Sequence, residues 1–234
     1  RIKLRSVDKR LKVILLVMVI LIIDQASKIY IKTNFYYHEM VPIFGLDWAY
    51  LHFVENNGAA FGLSLGGEWG KLALTTFRII TVSVLAYFIN MLMKRNENTG
   101  MIMALSLVFA GAIGNIIDSV FYGVIFSESG YTPAGVAQFM PPEGGYSSLF
   151  HGKVVDMLYF PMIDTHWPEW VPVIGGNSFQ FFRPVFNVAD SSIFVGMVIL
   201  LIFYRDFFSG NITNQEEKDD SRQPEKTAVV ETNP

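Results

Sequence analysis

The sequence predicts an all-α polytopic membrane protein of four transmembrane helices, with a small β-sheet at the membrane surface. Three observations carry that prediction. Charged residues make up 17% of the 234 positions and hydrophobic ones 51%, with mean hydropathy +0.35; a soluble domain carries about 25% charge. Four apolar segments reach the roughly 17–25 residues a bilayer crossing needs. Basic residues cluster before the first segment and between the second and third, which gives the chain one consistent orientation.

The first segment covers residues 13–31 and holds Asp24, Gln25 and Lys28 in its second half. No A-x-A site follows it, so a retained helix is expected rather than a cleaved leader. The connection 32–71 is rich in aromatic and β-branched residues, and the alternating run 49–54 reads as a strand. Segment 72–93 is interrupted by Arg78 alone, expected to snorkel or to pair with an acid. Segment 101–126 carries Asn115 and Asp118 late, after the small residues Ala110, Gly111, Ala112 and Gly114, which let another helix come close. The connection 127–184 contains "SESGYTPAGVAQFMPPEGGYSS", an irregular loop, and then Asp156 in the apolar context "HGKVVDMLYFP". The last segment, 185–208, opens with Asn187, Asp190, Ser191 and Ser192. Trp48, Trp69, Trp167 and Trp170 are expected as interfacial anchors.

The tail 209–234 is polar and expected to be disordered. Its six acids and three bases give −3, the formal charge of the whole chain. The body is therefore neutral, with no basic surface for nucleic acid. Cysteine is absent, which removes disulfides, thiolate nucleophiles and cysteine metal sites. The four histidines have no metal-ligand spacing, so neither metal nor cofactor is expected. "GLSLG" at 62–66 matches a nucleophile-elbow pattern, but its setting is a Gly-rich loop rather than a strand and a helix.

Arg1, Lys3, Arg5, Lys9, Arg10 and Lys12 precede the first segment, and Lys94 and Arg95 follow the second. Both termini are thus expected in the cytoplasm and both long connections outside. With that orientation the polar residues converge. At 1.5 Å per residue, Asp24 lies about 18 Å from Lys12, Asp118 about 25 Å from Met101 and Asp190 about 22 Å from Arg205. All fall in the outer half of the bilayer, where a carboxylate is costly and points to function. "NIID" (115–118) and "NVAD" (187–190) each put an amide and an acid on one helix face. Two carboxyls brought close share one proton, and such a pair can activate water and protonate a leaving amine. Buried acids also serve proton relays, and polar contacts also glue helices, so a small transporter and a membrane scaffold are the rival readings.

In their order, "DQASKIYIK", "NNGAAFG", "GAIGNIIDS", "GKVVDML" and "FNVADSSI" resemble the motifs of the lipoprotein signal peptidases, or signal peptidase II, across all four segments. The resemblance implies an aspartyl endopeptidase of the bacterial cytoplasmic membrane, built as four helices with an extracytoplasmic β-cradle. Its partners would be membrane lipids and diacylglyceryl-modified prolipoproteins, cleaved just before the modified cysteine by a monomer. Asp156 and Asp190 match the catalytic pair. Asn187 and Asn56 match support or substrate-binding positions, Asn115 and Asp118 match polar support beside the pair, and Asp24 matches a structural acid. Two departures stand out: Ser119 replaces the arginine usual after the "GNxxD" acid, and about two dozen extra residues, 127–150, precede "VVD".

Overall fold

The computed structural model describes residues 8–57, 67–161, 163–166, 168–170, 172, 176, 178–181 and 184–208. The 62–66 motif, Trp167 and the tail lie outside them.

Helix α1 (Lys9–Asn34) starts where the Asp8 side chain accepts from Arg10 N–H, replacing a partner the first turn lacks. Its polarity is inside out. Ile14, Leu15, Met18 and Ile22 are exposed, whereas Asp24, Lys28, Ile31 and Lys32 are buried. Positions 24, 28 and 32 are successive turns of one face. Water would disfavour such a helix; lipid around its apolar face and polar partners on its inner face favour it.

Strands β1 (Met40–Pro42) and β2 (Tyr50–Asn56) follow, and β2 contains the expected 49–54 run except Ala49. Helix α2 (Gly67–Lys94) exposes Phe77, Ile80, Val84 and Tyr87 and buries Thr75, Ile89 and Leu92. Helix α3 (Thr99–Ile117) is the central member, packed against α1, α2 and α5. It continues through a π-helical turn, Asp118–Tyr122, into the short α4 (Gly123–Ile125). Single π-turns inside helices are frequent at functional sites.

Strands β3 (Val154–Tyr159), β4 (Ile163–His166) and β5 (Ser178–Phe181) precede α5 (Val188–Phe203) and the single turn α6 (Arg205–Phe208). One antiparallel sheet has the order β1-β2-β3, and β4 pairs with β5 in a second. In the first sheet Val54 faces Asp156 and Asn56 faces Val154 across the ladder.

Three helices, Lys9–Asn34, Trp69–Lys94 and Thr99–Ile125, are long and apolar enough to cross a membrane. The fourth expected segment, 185–208, is shorter as a helix. The Asn187 cap delays the start of α5 to Val188, and the chain leaves helical geometry at Tyr204. Sixteen helical residues span about 24 Å, against about 30 Å of hydrocarbon.

The small residues of α3 do what their size predicts. A Cβ on Gly111 would stand 2.2 Å from the Ala189 carbonyl oxygen, and one on Gly114 2.6 Å from Asp24 Oδ2. On α5, a Cβ on Gly196 would meet the Ala104 carbonyl oxygen at 2.7 Å. The helices touch backbone to backbone, which brings Asp24, Asn115 and the start of α5 together.

Two apolar cores hold the ends. Ile89, Leu92, Met101, Ile102, Leu105 and Leu200 fill the end far from the first sheet. Ile31, Phe35, Phe53, Tyr122, Phe126, Val155 and Met157 bind the sheet to α1 and to the end of α3. Insertion 127–150 is an irregular segment with one 3₁₀ turn, Pro133–Gly135. It is docked by the Phe126–Phe139 bridge and by Tyr146 N–H, which donates to the Phe126 carbonyl at 2.9 Å.

Candidate active site

Asp156 lies on β3 and Asp190 in the first turn of α5, and the chain joins these elements by backbone. Met157 and Leu158 N–H both donate to the Phe186 carbonyl (3.1 and 2.8 Å), and Phe186 N–H donates to the Leu158 carbonyl (3.0 Å). The strand bearing one acid is thereby fixed to the residue before the cap of the helix bearing the other. A second attachment holds β3 to the π-turn. Gly152 N–H donates to the Ser119 carbonyl (2.9 Å) and Val155 N–H to Asp118 Oδ2 (3.2 Å).

Asn187 and Asp190 form a capping box, which satisfies helix donors reciprocally. Asp190 N–H donates to Asn187 Oδ1 at 2.8 Å, and Asn187 N–H to Asp190 Oδ2 at 3.4 Å. This leaves Asn187 Nδ2 free to serve elsewhere. It donates to Asp156 Oδ1 (2.7 Å) and to Asn115 Oδ1 (3.1 Å). Asn115 Nδ2 donates in turn to Asp190 Oδ1 at 2.7 Å. Asn56, on β2, donates to the other Asp156 oxygen. The two acids thus share a frame of three amides. In "NIID" the amide serves an acid of another helix, not its neighbour three residues on, a pairing that local spacing cannot reveal.

Asp156 is 3% exposed. Burial first, then the Asp190 carboxylate, push its carboxyl up to about 8, so it keeps a proton at neutral pH. Asp190 is half-buried.

Asp118 and Asp24 stand one layer away with Lys28, whose Nζ is 2.8 Å from Asp118, 3.0 Å from Asp24 and 2.9 Å from Asn115 Oδ1. Gln25 bridges the same two acids, donating to both at 3.0 Å, and accepts from Tyr122 at 3.1 Å. Asp24 Oδ1 accepts from Ala189 N–H at 2.8 Å. Asp24 thus lies beneath the head of α5. Ser119, in the place of the family arginine, is buried and donates to the Asn115 carbonyl at 2.9 Å.

Residue types alone gave no role to Lys28, Gln25, Lys32 or Glu55. Asp24 and Lys28 at i, i+4 were the available signal, since a lysine at that depth requires a partner. Lys32, fully buried, pairs with Glu55 and donates to Ser129 of the insertion at 2.9 Å. Its ammonium also lies 5.0 Å from the Tyr146 ring and 5.5 Å from the Phe126 ring. Glu55 alternates with Asn56 along β2, so the strand presents an ion pair on one face and a dyad ligand on the other. Trp48, Trp69 and Trp170 are exposed, and His38 stands 3.4 Å from His52 on the sheet.

The sequence model of the family described as signal peptidase (SPase) II matches residues 16–205. A lipoprotein signal peptidase of Porphyromonas gingivalis (strain ATCC 33277) is 46% identical over 193 residues, covering 81% of this chain and 80% of that one. The lipoprotein signal peptidase of Amoebophilus asiaticus is 33% identical over 184 residues, 77% of this chain and 72% of its own. Among solved structures, a bacterial membrane enzyme determined in meso at 1.9 Å aligns with a TM-score of 0.52 and 26% identity, over 82% of this chain and 90% of that chain. Another, at 2.3 Å, aligns with a TM-score of 0.51 and 23% identity over 92% and 94%.

Proposed function

The chain belongs to the signal peptidase II family of aspartic peptidases, and from that premise we propose that Asp156 and Asp190 are its catalytic dyad. The membrane enzyme removes the signal peptide of a bacterial prolipoprotein, cutting immediately before the diacylglyceryl-modified cysteine. One observation carries the dyad assignment. Two acids from distant elements, one buried and one half-buried, are held on a linked pair of amides, Asn115 and Asn187. Asp24 and Asp118, by contrast, are both held by one ammonium, that of Lys28.

In the reaction, one carboxylate takes a proton from water as its oxygen bonds to the scissile carbonyl carbon. The other carboxyl protonates the carbonyl oxygen. The pair then protonates the leaving nitrogen as the C–N bond breaks. Asn56, Asn115 and Asn187 hold the dyad and contact the substrate backbone; Asp118 and Asp24 support from below. Substrate acyl chains and membrane lipids stay on the apolar outer faces of the helices.

In the proposed topology, residues 1–208 form one peptidase domain with α5 as a fourth span. The six basic residues before Val13 favour both termini in the cytoplasm. The dyad then lies near the extracytoplasmic face, and 209–234 is a cytoplasmic tail. The enzyme works as a monomer, since both acids and all three amides come from one chain. The test is cleavage of a synthetic diacylglyceryl prolipoprotein peptide in detergent. Asp156→Asn and Asp190→Asn should each lose about 10²–10⁴-fold in kcat while melting cooperatively. Cleavage retained in either folded variant ends the assignment.

A further inference from the structure

Arg78 stands on α2 within a membrane span, half-buried, and the charges it feels are Asp190 first and Asp156 second. Lys71, Thr75 and Arg78 fall on one helix face. Lys71 Nζ donates to Asn57 at 3.1 Å, beside Asn56, and the buried Thr75 donates to the Phe150 carbonyl at 3.3 Å, on the approach to β3. That face therefore looks toward the dyad. The usual family position for a cation is occupied by Ser119, whose hydroxyl is bonded to α3's own backbone.

We infer that Arg78 is a positioning residue of the reaction: its guanidinium holds Asp190 as the ionised partner and leaves the shared proton on Asp156. This rests on the dyad reading above and assigns its two roles. Three further features agree. Asp190 sits in the first turn of α5, where the helix end favours negative charge. Lys28 lies on Asn115 Oδ1 and polarises the amide that donates to Asp190. Asp156 is the more buried of the two acids.

The charged and titratable groups packed around the head of α5 are Asp24 and Lys28 on α1, Arg78 on α2, Asp118 in the π-turn and Asp156 on β3. Asp190 is then the base that takes the proton from water, and Asp156 the acid that gives its proton to the carbonyl oxygen. As the C–N bond breaks, Asp190 passes its new proton to the nitrogen. Asp156 recovers a proton from the diol hydroxyl, which restores the starting state.

The experiment is a pH profile of kcat/KM for Arg78→Gln and Arg78→Lys, measured with a diacylglyceryl peptide in detergent beside Asp156→Asn and Asp190→Asn. Arg78→Gln should move the acidic limb up by about one pH unit and lower kcat about tenfold, with KM nearly unchanged. Arg78→Lys should restore most of both. If Arg78→Gln does not fold, Arg78→Met gives the same reading. A folded uncharged variant with its acidic limb unmoved, while both Asn variants are dead, overturns the role of Arg78 and spares the dyad. Activity in either Asn variant overturns the dyad itself.

Discussion

Asp24 and Asp118 share a lysine, whereas Asp156 and Asp190 share amides, and the two pairs touch through Asn115. Lys28 sits 3.0 and 2.8 Å from the first two acids, with every side chain buried. An ammonium at that distance fixes the position of each carboxylate it touches. Asn187 and Asn115, at 2.7 Å from Asp156 and Asp190, orient the acids without dictating which one carries a proton. The first arrangement is mute chemically and locks α1, α3 and the start of α5 together. The second, on the proposed dyad reading, leaves room for the shared proton that acid–base work needs. A membrane protein can afford the second because the first holds its geometry.

Removing the lysine should have the largest effect. Lys28→Met strands two buried acids, and breaking such a cluster costs about 3–5 kcal/mol. The expected result is a large fall in melting temperature in detergent; an unchanged melting temperature would mean the cluster carries no structure.

Next comes a stability difference that grows with pH. A carboxyl raised from 3.8 to about 8 on folding contributes stability below pH about 4 that is lost as pH rises through about 8. Asp156→Asn, neutral throughout, should therefore gain on the wild type across that window. Parallel melting curves from pH 4 to 8.5 would contradict the burial account.

Asn187→Ala removes the cap of α5, worth about 0.5–2 kcal/mol, together with the donor to Asp156. It should cost activity beyond what the melting shift explains. Asn187→Ser, which keeps only the capping oxygen, should recover stability and not rate. The smallest effect is expected on the far face of β2. Ser129→Ala deletes one hydrogen bond to Lys32, worth about 1 kcal/mol, with the dyad untouched; a large loss of cleavage there would tie the insertion to catalysis.

Much of this was legible without coordinates. The inside-out polarity of α1, the small stripe of α3 and the acid at the head of α5 follow from residue type and period, because lipid makes every polar residue conspicuous. The motif order carried Asp156, a loop acid that local pattern left ambiguous. Within the fourth segment the helix itself runs only over Val188–Phe203, since hydropathy ignores the cap at Asn187 and the break at Tyr204. Lys28 and Gln25 had Asp24 close by in the chain, but their second acid, Asp118, lies about ninety positions on and could not be paired with them from the sequence.

What the chain determined was which side chains had to find each other: acids, amides and lysines at one depth in lipid have no other means of satisfaction. Which amide serves which acid was decided only in three dimensions. The Phe186 carbonyl pins β3 to the head of α5, and the glycines of α3 let α1 and α5 close in. Hydrogen bonds fall off within a fraction of an ångström, so their pairing is set by the packed backbone and not by spacing along the sequence.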